Sequence, residues 1–197
     1  MGERCGWHGV DELYTAYHDT EWGMPEYDSR ALFEKLILDG FQAGLSWITI
    51  LRKRENFREA FAEFDPNVIA TWCEPEIERL LQNAGIIRHR GKIAATITNA
   101  QAWQRIEARE GFDNFLWGFI DGKPVVNHWE RLDQIPAETD LSKAVSKALK
   151  KEGFKFCGPT IVYAFMQAAG LVNDHLEGCW AFEAVNTANK KFTVPNR

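Results

Sequence analysis

The stretch CGPTIVYAFMQAAG, residues 157–170, constrains the fold more than any other. Read as a helix, it is apolar on nearly every side and has no face to give to water. It is also well short of the roughly 20 residues of a membrane span. Such a helix has to be central and buried, with other elements wrapped around it.

The rest of the chain supplies those wrappers, and they too read as helices. DSRALFEKLILDG has Ser29 as a candidate cap, Gly40 as a stop, and Leu32, Phe33, Leu36 and Ile37 on one face. AGLSWITILRKRENFREAFAEF continues with Leu45, Ile48, Leu51, Phe57, Phe61 and Phe64. DPNVIATW places Asp65 as cap and Pro66 at the first helical position, and EPEIERLLQNAG repeats the design with Pro75. GKIAATITNAQAWQRIEARE is a long amphipathic pattern. DLSKAVSKALKKEG turns Val145 and Leu149 inward and Lys143, Lys147 and Lys151 outward. Only KPVVNHW suggests an extended piece. The expected class is all-α: one helical unit over 1–180, then a loosely packed tail over 181–197.

The 197 residues carry a net charge of −5, which argues against loose, charge-driven binding to nucleic acid. The charge is uneven. Lys143 to Lys155 hold five lysines against Glu152, Arg88, Arg90 and Lys92 form a second basic cluster, and Arg52 to Arg58 form a third. One basic, DNA-facing side is compatible with this, as are solvated helix faces. MGERCGWHGVDELY lacks the basic and apolar regions of a signal peptide, so the expected location is cytoplasmic. There, four cysteines are expected to be free or metal-bound.

Three constellations bear on chemistry. LLQNAGIIRHRGKI has the pattern of a helix–hairpin–helix, with Gly85, Ile87 and Gly91 in the turn and Arg88, Arg90 and Lys92 beside it. Exposed backbone N–H groups and a helix N-terminus favour a phosphate. Trp7, Tyr14, Tyr17, Trp22, Asp39 and Trp47 are aromatics with one carboxylate, which suits a flat, cationic heterocycle and equally suits an ordinary core. Cys5, His18, His175 and Cys179 offer a thiolate–imidazole set for zinc that would clasp the two ends together. Cys73 and Cys157 read as core thiols, and His8, His89 and His128 as surface or loop residues, with His89 near any phosphate.

Four blocks in order, RCGWHGVDELYTAYHDTEWG, GFQAGLSWITILRKRENFREAF, GIIRHRGKI and GFKFCGPTIVYAFMQAAGLVNDH, resemble the 3-methyladenine DNA glycosylase I family. The likeness runs from about residue 3 to 179, with a divergent stretch over 104–140. It implies a helix–hairpin–helix glycosylase fold whose two helical lobes share a base pocket. The implied activity is base-excision repair: hydrolysis of the N-glycosidic bond of N3-methyladenine in alkylated double-stranded DNA. Free 3-methyladenine and an abasic site would be the products. It further implies one structural zinc on Cys5, His18, His175 and Cys179, and a base pocket at Trp7, Tyr14, Tyr17, Trp22, Asp39 and Trp47. The DNA grip falls on Gly85, Ile87, Arg88, Arg90, Gly91 and Lys92, and a monomer suffices.

Two features stand out against that pattern. The family often has Glu at the position of Asp39, and Asp is shorter by one methylene, about 1.5 Å of reach. The wider superfamily often uses a catalytic Asp after the hairpin, whereas here no acid precedes Glu107 in the following helix. A cationic lesion tolerates that absence, because its base leaves neutral. Two other classes remain open: a non-enzymatic binder of alkylated DNA, and a zinc-stapled helical scaffold.

Overall fold

The computed structural model describes residues 2–190. Among them are α1 (Glu12–Thr20), α2 (Ser29–Gln42), α3 (Trp47–Leu51), α4 (Arg54–Ala60), α5 (Pro66–Ile69) and α6 (Glu74–Leu81). α7 (Arg90–Arg109), α8 (Phe112–Trp117), α9 (Asp140–Glu152), α10 (Pro159–Ala168) and α11 (Trp180–Lys190) follow. The extended piece is real but minimal. β1 (Val125–Val126) pairs in parallel with β2 (Val172–Asn173), Val125 opposite Val172.

α10 is the helix of the apolar stretch, and it packs against α2 and α9. It buries Val162, Tyr163, Phe165 and Met166. α2 buries Leu32, Phe33, Leu36, Ile37, Leu38 and Phe41, and is capped by Asp28, whose side chain accepts from the Ala31 amide, so the cap lies one residue before Ser29. α5 starts as its sequence implies, with Asp65 accepting from the Asn67 amide ahead of Pro66. α9 ends on Gly153 at φ +105°, a left-handed cap that a side chain would strain.

Several expectations are corrected. The segment after α2 is not one continuing helix: Gly44 turns at φ +83°, and Leu45 is 42% exposed before α3 begins. Residues 180–190 are a helix with Ala181, Phe182 and Val185 buried, so that part of the expected loose tail is packed; residues 191–197 lie outside the described ones. Cys73 is exposed, while Cys157 is buried. His8 is buried, with its Nδ1 at 3.0 Å from the Thr15 hydroxyl. α8 falls in the stretch where the sequence reading named no helix.

Candidate functional site

A cavity of about 380 Å³ opens between α1, α2, α3 and α10. Trp7, Tyr14, Tyr17, Trp22, Asp39 and Trp47 all line it. Trp7 lies at the centre of the aromatic set, edge-to-face with Tyr14 at 4.9 Å and with Trp22 at 5.0 Å. The Tyr17 and Trp47 rings lie 5.4 Å apart. Gln42, Leu132, Ile135, Ala164, Gln167 and Ala168 complete the lining, and sequence reasoning missed them. Ala164 and Ala168 are one turn apart on α10. Their small side chains leave a hollow on a helix that the sequence marks as wholly buried. Only a small–x–x–x–small spacing could have signalled it.

The electrostatics of the cavity centre on Asp39, which α2 holds near its C-terminal end among Leu36, Leu38 and Phe41. It is 2% exposed. Burial pushes its carboxyl up to about 8, against a smaller opposing pull from Lys35. Among the described residues its Oδ2 has no hydrogen-bond partner, nor do Trp7 Nε1 and Trp47 Nε1. Buried polar atoms are nearly always paired in folded proteins. Three unpaired ones on residues lining one cavity point to a polar ligand. The Tyr17 hydroxyl is driven well above its ordinary range by burial and then by Asp39, so it stays a neutral donor.

The wall is braced from behind. Buried Asp174 accepts from Tyr163 at 2.6 Å, Gln167 at 2.7 Å, Asn127 at 2.7 Å and Trp129 at 2.9 Å. It thereby ties the pocket residue Gln167 to the 125–135 segment that carries Leu132 and Ile135.

Next in sequence to Asp174 is His175, one of four buried residues that meet in space. The ligand atoms of Cys5, His18, His175 and Cys179 all lie within 4.8 Å of one another. The chain's two ends are thus brought together, as the sequence pairs imply. His175 Nδ1 lies 3.4 Å from Cys5 Sγ, and its Nε2 is 2.9 Å from the Trp22 carbonyl. His18 Nε2 lies 3.6 Å from Cys179 Sγ, and its Nδ1 is 2.8 Å from Asp19. Each imidazole therefore presents one nitrogen to the sulfurs while an oxygen acceptor fixes the other, which is how metal-ligating histidines are held. Asp19 is itself gripped by Arg4, which with His18 lowers its carboxyl to about 2. Cys179 is pulled down by the Cys5 thiol and both imidazoles, whereas Cys5 is pushed up. Two sulfurs and two nitrogens around one buried point fit a tetrahedral metal ion.

The hairpin lies between α6 and α7. Lys53 Nζ and the Asn56 amide donate to the Gly85 carbonyl from below, and the Gly85 N–H donates to Asn83 at 2.8 Å. That amide is therefore engaged, which corrects its expected offer to phosphate. Ile87 is half-buried. His89 caps α7, its Nδ1 accepting from the Lys92 amide. The amides of Arg90 and Gly91 sit in the first turn, ahead of the first intrahelical bond.

The three basic residues differ. Arg88 is exposed. Arg90 is paired with Glu74 and Glu78. Lys92 is a clear correction: it is 7% exposed, and its ammonium donates to the Phe41 carbonyl at 2.9 Å and the Ala43 carbonyl at 2.7 Å. It caps the C-terminus of α2 and is not a phosphate contact.

Comparison with known proteins places this geometry. The family model described as methyladenine glycosylase matches residues 7–182. The chain is 57% identical over 181 residues to DNA-3-methyladenine glycosylase 1 of Escherichia coli K12, covering 91% of this chain and 97% of that protein. A crystal structure of 3-methyladenine DNA glycosylase I shares 59% identity and a TM-score of 0.89, over 90% of this chain and 98% of that one. A structure addressing 3-methyladenine recognition by the Staphylococcus aureus 3-methyladenine DNA glycosylase I shares 41% identity and a TM-score of 0.88, over 90% and 95%. α11 continues to Lys190, past the range that the family model matches.

Proposed function

The chain belongs to the methyladenine glycosylase family, and from that premise we propose that it hydrolyses the N-glycosidic bond of N3-methyladenine in alkylated DNA. The observation that carries the reading is the aromatic cavity with a buried, unpartnered carboxyl oxygen on Asp39. Such a site suits a planar base bearing positive charge.

The hairpin grips phosphates beside the lesion through Arg88 and the free amides at the N-terminus of α7. The damaged nucleotide swings into the cavity, at a cost of a few kcal/mol that a weakened base pair reduces. Trp47 and Tyr17 hold its faces. Asp39, neutral in the empty pocket over much of the physiological range, releases its proton as the cationic base arrives and pairs with it. The base–C1′ bond then breaks, its electron pair returning to the purine and quenching the purine's charge. Water adds its oxygen to C1′ and gives up a proton. The carboxylate favours the cationic ground state, and that charge fades as the bond breaks. Asp39 therefore contributes more to selective binding than to the chemical step. Ordinary adenine brings neither charge nor methyl group, so it gives the buried carboxyl no counter-charge for which to release its proton.

The metal centre is read as one structural zinc held by Cys5, His18, His175 and Cys179. It would lock the N-terminal segment bearing Trp7 against α11. The set is buried and filled by four protein ligands, so it offers no open position for substrate.

Incubating the purified, zinc-loaded protein with methylated duplex DNA and separating the released bases tests the activity. Free 3-methyladenine is expected. A folded, metal-loaded protein that binds the duplex and releases no base would replace this reading with that of a lesion binder.

A further inference from the structure

Gln167 lines the cavity from α10, and its carboxamide has two ends of opposite polarity, an N–H donor and an oxygen acceptor. A glutamine free to turn offers either end to a ligand. This one is held. Its Nε2 donates to Asp174 Oδ2 at 2.7 Å, and the Tyr163 hydroxyl donates to the same oxygen at 2.6 Å. The other oxygen of Asp174 receives Asn127 Nδ2 at 2.7 Å and the Trp129 indole N–H at 2.9 Å. Asp174 is 1% exposed, and with two donors on each oxygen it has only acceptor capacity to give. Turning the Gln167 amide over would set oxygen against oxygen in a buried place. The backbone is pinned as well, the Gln167 carbonyl accepting from the Gly23 N–H at 3.1 Å, next to Trp22.

That leaves Gln167 Oε1. Among the described residues no donor reaches it, and it is not one of the enclosed unpaired atoms, so it stays accessible on a residue that lines the cavity. Gln167 therefore adds to the pocket an acceptor of fixed polarity, presented from α10, where Asp39 is presented from α2.

We propose that Gln167 reads the C6 substituent of the flipped base, accepting from an exocyclic amino group and rejecting an oxo group, and that Asp174 is the positioning residue that fixes this polarity. An oxo group would face Oε1 with a second acceptor, and a site built around one hydrogen bond discriminates strongly against a ligand that cannot make it. Ordinary adenine carries the same amino group. Gln167 thus sorts adenine-type from guanine- and hypoxanthine-type lesions, while the charge pairing at Asp39 sorts methylated from unmethylated bases. The inference rests on the reading of the cavity as a base pocket.

The test uses the full zinc-loaded chain and two free bases, 3-methyladenine and 3-methylhypoxanthine, which differ at C6 and in the N1 proton that goes with the oxo form. Calorimetry gives the affinity of wild type, Gln167→Met and Asp174→Asn for each base, with Tm and zinc content as controls. Wild type is expected to prefer the amino base. Methionine keeps the length of the side chain and removes the acceptor. Gln167→Met is therefore expected to bind 3-methyladenine about tenfold more weakly, as for one lost hydrogen bond, and to narrow the preference. In Asp174→Asn the remaining oxygen stays with Trp129, whose indole can only donate, and the new N–H faces Tyr163 and Gln167, which can both accept. The Gln167 amide then turns over and shows its donor to the cavity. This variant is expected to gain affinity for the oxo base and lose it for the amino base, a crossed change that a merely loosened wall does not give. Equal losses for both bases, or a wild-type preference in Gln167→Met at unchanged Tm, overturns the proposal; if Asp174→Asn fails to fold, Gln167→Met still decides. Wild type that binds neither base removes the pocket reading and this proposal together. Wild type that binds and releases 3-methyladenine, with the preference intact in Gln167→Met, removes the proposal alone.

Discussion

Asp39→Asn gives the sharpest test of the pocket, because its effect on stability and its effect on binding have opposite signs. An unfolded Asp ionises near 3.8, and burial raises the folded value to about 8. Between those pH values the folded chain holds a proton that the unfolded chain has released. Stability therefore falls as pH rises, by about 1.4 kcal/mol per unit for one proton, and levels off above the folded value. The raised pKa, from 3.8 to about 8, sets a ceiling of about 6 kcal/mol on this loss. The amide of the variant has nearly the same shape and no charge to desolvate, so its curve lacks this slope. The two chains are expected to match in urea unfolding near pH 4 and to separate progressively to pH 8, with the variant more stable. The same variant is expected to bind the cationic lesion less selectively, because it has lost the counter-charge. Both are measured on zinc-loaded protein, with a methylated and an unmethylated duplex. A stability difference that stays constant from pH 5 to 8 would refute the buried, proton-holding carboxyl. Unchanged discrimination would refute its role in recognition.

Three further outcomes follow from the geometry. Cys179→Ser is expected to lose bound zinc by elemental analysis and to unfold at lower temperature, since structural zinc contributes on the order of 10 kcal/mol to folding; full metal content at an unchanged Tm would remove the clasp. Arg88→Ala is expected to lower the salt slope of duplex binding by about one, with a smaller change for Arg90→Ala, whose charge Glu74 and Glu78 already compensate; the reverse order would misplace the DNA grip. Ala164→Leu adds volume to the cavity wall, and is expected to weaken binding of free 3-methyladenine while leaving Tm within a few degrees; undiminished binding would place the base elsewhere.

What the sequence made legible, and what it did not, divides along a physical line. Local signals marked some element boundaries, such as Asp65 before Pro66, and missed others, since Asp28 and not Ser29 caps α2, which runs past Gly40 to Gln42. They failed at Ala43–Ser46, where Gly44 turns the chain and leaves Leu45 exposed while periodicity ran on. The clasp residues were legible as residue types. Their meeting was not, because more than 150 positions separate His18 from His175 and nothing local encodes that approach. The aromatic pocket set came from the family resemblance. Its α10 wall did not, since an apolar pattern shows which side chains avoid water and cannot show whether they face protein or ligand.

Asp39 and Lys92 show how far that reasoning reaches. Both are charged residues on helix faces that are otherwise buried, and a charge in such a place signals that something beyond packing holds it there. For Lys92 the structure supplies the explanation within the protein, in the carbonyls of Phe41 and Ala43 at the end of α2. For Asp39 it supplies, among the described residues, no hydrogen-bond partner for Oδ2, and a cavity beside it. The same sequence anomaly thus divides into a structural cap and a ligand site, and the difference lies in whether the protein itself completes the hydrogen bonds. Because Lys92 stands in the first turn of α7, its cap also links the turn before α7 to the α2 terminus, a few residues from both Asp39 and Trp47. One buried ammonium therefore ties the turn that opens α7 to the helix that carries Asp39.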